Sequence, residues 1–429
     1  MAKSDKRKKE KQPFRLQEHV EWVAMAFVLA LTVRCFVVEA YKIPSGSMAP
    51  TLYGTHYQIT CPSCGASFAL SGGEGSNYGL NFVCPSCGAS GSPPPASRRL
   101  RGGDRILVAK DLYLFARPRR WDVFVFKSPE PTKQNTNFVK RLVGLPGERI
   151  ELRHGQVFID GRIARKPDRV QNQLWQYVYD GAANAPADCW ETAGGWEIRP
   201  EGLLLKDPQQ FPQTVTYARP ILDFYPYNGR EGDNVVGDLL VAGHVSMDEA
   251  AGSFSAVLLD DNDNVRAVFS PFVNSLTVEL RKNGVLVASA ASIVASPTDF
   301  FFSLSSVDGA HEVAINGLRV IRRADDLAPA DVSLYSRSSG VFFEGAGPKM
   351  FVSDVKIKRD VYYRVSIPRP DRFVGASFIE DIPPGHFFGL GDNSPVSNDS
   401  REWHFVPAEN VLGKAFFLFW PPTRLKPVH

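Results

Sequence analysis

Histidine is scarce in this chain: there are eight in 429 residues, and none lies in a triad-like motif. A reactive serine would therefore have to take its base from one of those eight or from a lysine kept neutral by burial. Net charge is also scarce, at +3. The first fifteen residues, MAKSDKRKKEKQPFR, hold seven Lys or Arg against two acids, so everything after them sums to −2. Such a basic arm suits nucleic acid, a membrane surface or plain solvation, and its neighbour decides among them. Cysteine is limited to six residues. What remains is an ordinary globular balance, 44% hydrophobic and 22% charged, over a length that suits two or three domains.

The neighbour of the arm is WVAMAFVLALTVRCFVV, Trp22 to Val38, whose only charge is Arg34. Seventeen residues is the short end of what spans a bilayer, and Arg34 lies near enough to the end for its guanidinium to reach the interface. The pattern predicts a transmembrane helix over 19–40 and a basic cytoplasmic tail over 1–18. The chain from about residue 40 onward then lies outside the plasma (inner) membrane, as in a single-pass protein. A nucleic-acid partner is not expected. A buried core helix and a cleaved signal peptide are the alternatives.

Beyond the apolar run, valine-rich stretches such as DRILVAKDLYLF, WDVFVFKSP and FVKRLVGLPGERIELRHGQVFIDG are separated by Gly and Pro turns and read as a mostly β region. The same grammar returns in HFFGLGDN and VLGKAFFLFWPP. Residues 166–360 differ in character. From about 235 they alternate apolar and polar positions, with hairpin signals at Asn283-Gly284 and Asn316-Gly317, which predicts a β-sandwich. The rhythm is similar to concanavalin-like jelly rolls, a resemblance that implies glycans as one class of partner, with a spacer as the plainer alternative. Residues 166–234, with Trp175, Trp190 and Trp196, have no clear assignment beyond extra strands for the same sandwich.

CPSCG occurs twice, placing Cys61, Cys64, Cys84 and Cys87 in a C-x2-C-x19-C-x2-C spacing. Two residues between cysteines let one turn aim both thiolates at one ion, and Gly65 and Gly88 allow the reversal after each pair. Four thiolates leave no open position, so the expected zinc would be structural. Two disulfides are the competing reading, because the segment follows the apolar run into an oxidising compartment. Cys35 and Cys189 have no assigned partner.

The stretch KIPSGSMAPTL holds two serines in a Pro- and Gly-rich turn, where a serine is ordinarily a turn former. Together with GDRILVAK, FVKRLVGLPGERI and GDNSPVSNDSREW, in that order, it resembles the type I signal peptidases, membrane-anchored serine proteases that remove signal peptides. The resemblance implies Ser47 as nucleophile, Lys140 as general base, Ser45 as an oxyanion donor and Met48 at a substrate-facing position. It also implies Ser397, Asp399 and Arg401 as supports, and no cofactor for catalysis. The apolar setting of Lys140 fits a lysine that must lose its proton near neutral pH. Strand alternation predicts Lys140 in the site and Arg141 in solvent.

The implied fold is mainly β: a signal-peptidase-type catalytic domain in three parts (41–60, 98–165 and 361–429) behind the helix. A zinc ribbon with its linker is expected at 61–97, and an inserted β-rich domain, concanavalin-like and sandwich-like from about 235, at 166–360. The implied partners are signal-peptide-bearing preproteins, membrane lipid and the protein export machinery. The sequence departs from the family pattern at Ser394 and Pro395, where charge is common, and at His404, where glycine is usual. Two other functions compete: an inactive protease scaffold that presents the sandwich to glycans or envelope partners, and a self-cleaving repressor-like Ser-Lys protease.

Overall fold

The computed structural model describes residues 16–32, 38–72, 81–93, 95, 98–110, 112–133, 136–181, 187–223, 225–229, 232–261, 263–332, 338–365, 373–374 and 377–429. The basic arm, Arg34 and Cys35 lie outside them.

The apolar run does not form one helix. Leu16–Thr32 is helical and Val38–Lys42 is a β-strand paired with Arg105–Ala109, so residues 38–40 of the expected 19–40 helix are strand instead, while 33–37 lie outside the described residues. Val38 and Tyr41 are drawn into the sheet because their backbone finds a ladder partner there and their β-branched or aromatic side chains suit it. Among the described residues, no helix is long and apolar enough to cross a membrane. The side chains at 20–28 of this helix are nevertheless exposed, with Trp22 at 68%, Val23 at 69% and Phe27 at 64%.

The strand that carries Lys140, Asn137–Gly144, lies in an antiparallel eight-stranded sheet between Val123–Lys127 and His386–Leu390. Val411–Trp420 joins that sheet to the pair Arg105–Ala109 and Val38–Lys42. Its strands follow from runs such as VFVFK, whose alternate residues feed two separate cores: Val123 and Val125 in one, Phe124 and Phe126 in the other. A second, five-stranded sheet is built around Arg149–Arg153 and packs Ile150, Leu152 and Phe378 against Val143 and Phe388 of the first. DLYLF, read as extended, contains the short helix Leu112–Phe115 instead.

Residues 176–359 form two facing antiparallel sheets of eight and seven strands around one large core. Phe254 and Phe302, from opposite sheets, meet edge to face at 5.0 Å. Asn283 and Gly284 (φ 51° and 81°) and Asn316 and Gly317 (φ 50° and 79°) turn their hairpins as the sequence predicts. The sandwich begins at Gln176 rather than near 235. The unassigned stretch supplies Gln176–Asp180, Trp190–Thr192, Trp196–Arg199, Gly202–Leu205 and Gln213–Tyr217 to the two sheets, with Trp190, Trp196 and Cys189 buried in the core. Trp175 follows the short helix Asp168–Leu174.

Candidate active site

The two serines of KIPSGSMAPTL lie on a turn that leaves the first strand of the eight-stranded sheet. Met48 and Leu52 anchor that turn in the core beside Ile43 and Ile106. Ser47 stays partly exposed, and Ser45 is exposed. Both line a cavity of about 430 Å³ whose walls also include Phe138, Val139 and Lys140. Met48 borders the same cavity, but its side chain is 1% exposed, so it contributes to the wall mainly by filling the core behind it.

Lys140 Nζ lies 2.8 Å from Ser47 Oγ and 3.1 Å from Ser397 Oγ, although 93 residues separate the first pair in sequence and 257 the second. Lys140 is 3% exposed. Burial is the main reason its pKa falls from the ordinary 10.5 to about 8; the nearby Asp399 carboxylate works against the fall and Arg401 adds to it. A neutral amine at this position can accept the Ser47 proton with its lone pair while donating N–H to Ser397. The loop bearing Ser397 approaches so closely that a Cβ on Gly391 would lie 2.1 Å from Ser397 Oγ and 2.6 Å from the Ser47 carbonyl oxygen. Only glycine fits there.

Asp399 and Arg401 pair bidentately, with Nε–Oδ1 and Nη2–Oδ2 both 2.8 Å, and both are buried. Burial alone would raise the Asp399 pKa, but the Arg401 guanidinium and the Gly391 N–H hold it below the usual carboxylate range. Arg401 also donates to Ser394 Oγ at 2.9 Å and to the Ser394 carbonyl at 2.9 Å, and the N–H of Arg364 donates to the same hydroxyl at 2.8 Å. The uncharged Ser394 is therefore a compact hydrogen-bonding hub in the loop. His404, where the sequence pattern favours glycine, has φ 68° at the end of the helix Ser400–Trp403. A non-glycine residue there costs on the order of 1–3 kcal/mol, and His404 Nδ1 lies 3.2 Å from Glu380 Oε1.

Arg141 corrects one expectation. Alternation does send it to the face opposite Lys140, but that face is covered too, and Arg141 is fully buried instead of solvated. It survives there because Asp392 meets it bidentately at 2.7 Å twice, while the Trp121 carbonyl accepts at 2.8 Å. Thr51 Oγ1 donates to the same Asp392 carboxylate at 2.5 Å. Asp392 and its neighbour Asn393 were missed in the sequence, although both lie in the GDNSPVSNDS stretch that was singled out. Asn393 donates from its backbone to the Ser47 carbonyl (3.0 Å) and from Nδ2 to the Gly46 carbonyl (3.0 Å).

The four cysteines converge, with every ligand sulfur within 4.8 Å of the others and all four side chains buried. Cys61 Sγ is 3.5 Å from Cys87 Sγ, and Cys64 Sγ is 3.6 Å from Cys84 Sγ, and no disulfide joins them. A bonded pair would lie near 2.05 Å, whereas thiolates about 2.3 Å from one tetrahedral ion stand roughly 3.8 Å apart. The two turns repeat each other: the Gly65 and Gly88 N–H groups donate to the Cys61 and Cys84 carbonyls, both at 2.9 Å, with positive φ at both glycines. The donor set fits a tetrahedral thiophilic cation.

Residues 16–62, 91–201 and 355–420, just over half of the chain, match the family described as signal peptidase, peptidase S26. A signal peptidase I of Leptolyngbya laminosa is 31% identical over 218 residues, covering 50% of this chain and 81% of that protein. A signal peptidase I of Rickettsia bellii is 27% identical over 164 residues, covering 36% of this chain and 43% of that protein, so the chain spans less than half of this second relative. Among solved structures, a carbohydrate binding module from Bacillus subtilis aligns with 40% of this chain and 95% of its own at 10% identity, with a TM-score of 0.29.

Proposed function

Since the chain belongs to the signal peptidase family, peptidase S26, we propose that it is a membrane-anchored serine endopeptidase that removes N-terminal signal peptides by a Ser-Lys mechanism. The observation that carries this reading is the 2.8 Å approach of a buried lysine amine to Ser47 Oγ.

In the proposed sequence, neutral Lys140 takes the Ser47 proton as Oγ bonds to the scissile carbonyl carbon, and the carbonyl π pair moves onto oxygen. The Ser47 backbone N–H and the Ser45 hydroxyl, on the same turn, are the donors assigned to that oxyanion. Collapse expels the amine of the mature protein, which receives its proton from the Lys140 ammonium. Lys140 then takes a proton from water as the water attacks the acyl ester. Collapse breaks the ester bond to Ser47 Oγ, which takes that proton back from the Lys140 ammonium as the signal peptide leaves as a carboxylic acid. Ser397 holds the amine in line; Asp399 and Arg401 hold the Ser397 loop.

The exposed apolar side chains of Val20, Trp22, Val23, Met25 and Phe27 on the helix Leu16–Thr32 support anchoring, since such a surface suits lipid. On this reading the catalytic part comprises residues 41–60, 98–165 and 361–429, and it faces the extracytoplasmic side. Zinc on Cys61, Cys64, Cys84 and Cys87 is assigned a structural role, because four thiolates leave no site for substrate.

The experiment is a pH–rate profile for cleavage of a purified preprotein. The base must be unprotonated, so kcat/KM should rise about tenfold per pH unit below a pKa of about 8 and level off above it. A profile flat from pH 6 to 10 excludes Lys140 as the base. A separate expectation concerns the cysteines: the protein as purified should carry one zinc per chain by elemental analysis. Its removal with a chelator should lower the thermal midpoint by several degrees, whereas disulfides would instead leave no titratable thiols among the four.

A further inference from the structure

The nucleophile turn is gripped by a segment outside the part that matches the family. Pro226–Asn228 is a short turn within residues 202–354, which the match leaves uncovered. Tyr227 is 1% exposed, and its ring stacks on Tyr53 at 5.4 Å with planes 4° apart. It fills the space beside Gly46 so completely that a Cβ on that glycine would lie 2.1 Å from the ring. Asn228 and Asn393 exchange reciprocal amide hydrogen bonds of 2.9 and 2.8 Å. Asn393 in turn holds the Gly46 and Ser47 carbonyls. Tyr227 and Asn228 both line the cavity that contains Ser47 and Lys140. Tyr227 also shares an apolar cluster with Ala49 of the nucleophile turn and Ala69 of the cysteine-bearing hairpin, so the wall is braced from two sides.

From this arrangement we propose that the Tyr227–Asn228 turn is a specificity and positioning element for the peptide substrate. The Tyr227 ring closes one side of the cleft to bulky side chains, and Asn228, acting through Asn393, holds the Gly46–Ser47 backbone in its attacking geometry. The proposal rests on the Ser-Lys protease reading above. Its physical basis is that Tyr227 is rigid, with two torsions and a stacked neighbour, so an intruding side chain cannot displace it without breaking the stack. A backbone held by amide pairs also favours the near-attack arrangement, which affects turnover more than ground-state binding.

The test is steady-state cleavage of a peptide panel carrying Ala or Leu at each position from the third before the cut to the first after it. The full-length proteins compared are wild type, Asn228→Ala, Tyr227→Phe, Tyr227→Leu, Tyr227→Ala and Ser47→Ala. Asn228→Ala should lower kcat about tenfold, the equivalent of one or two net hydrogen bonds, with KM within about twofold. Tyr227→Ala should improve kcat/KM for Leu relative to Ala at one or more positions by about tenfold or more, while Tyr227→Phe, which keeps the ring, retains wild-type selectivity. Should Tyr227→Ala not fold, Tyr227→Leu carries the same criterion. Unchanged kcat in Asn228→Ala, or wild-type selectivity in a folded variant without the ring, overturns the proposal. If Ser47→Ala cleaves as well as wild type, the protease reading itself fails; if Ser47→Ala is inactive while the Tyr227 and Asn228 variants match wild type, only the present inference falls.

Discussion

Lys140→Met should lower kcat for preprotein cleavage by at least about 10⁴-fold, and Ser47→Ala by a similar factor, because nucleophile and base act as one unit. The double variant should be hardly worse than either single one. Methionine nearly matches the lysine stem but has no group to accept the Ser47 proton, so the loss is chemical rather than architectural. Stability should move the other way. The unfolded lysine keeps its proton up to about pH 10.5, whereas the folded one releases it near pH 8. Between those values the unfolded state binds more protons and stability rises with pH; below about pH 8 the folded state carries the full penalty of a buried ammonium. At pH 7 Lys140→Met should therefore be more stable than wild type, by on the order of 3 kcal/mol at one pKa unit per 1.36 kcal/mol. An inactive but stabilised variant, read by cleavage and by chemical unfolding, separates catalytic duty from a structural one. Retained turnover, or an inactive protein that has lost its fold, contradicts the assignment.

The second large effect is expected at Arg141 and Asp392, both fully buried. Arg141→Met leaves the Asp392 carboxylate without its cation in a closed interior, which typically costs about 3–5 kcal/mol. Asp392 also binds Thr51 of the segment that follows the nucleophile, so its loss would release that segment from the strand carrying the base. Activity should fall along with the unfolding midpoint. The paired change Arg141→Met with Asp392→Leu removes both charges and should recover most of the stability, though not the Thr51 contact. If Arg141→Met unfolds at the wild-type denaturant concentration, the pair contributes nothing that burial by itself does not supply. Measuring both variants also separates the cost of the stranded carboxylate from the worth of the intact pair.

Much of the chemistry could be read before any fold was known. Ser397, Asp399 and Arg401 were indicated by the resemblance of the last box alone, whereas the CPSCG repeats and the apolar flanks of Lys140 each encode a local requirement, a turn that aims two sulfurs and a desolvated amine. Such demands are met within a few residues, so they leave a signature in the order of residues. The helix boundary was misread because a run of apolar residues suits lipid or a sheet equally well. Val38 onward became a strand only because Arg105–Ala109 was available beside it.

Arg141 shows the same limit from the other side. Alternation correctly separates it from Lys140, but nothing local shows that both faces of the sheet are covered or that Asp392, 251 residues away, waits to neutralise it. Tyr227 and Asn228 carry no motif at all; their meaning is their position against Gly46 and Asn393. By itself, then, the sequence marked candidate residues for chemistry and determined how the short turns that carry them are shaped, since those depend on neighbours along the chain. Only the tertiary structure decided which charges are buried together and what walls the cleft, because desolvation and contact depend on residues that the chain brings near from far away.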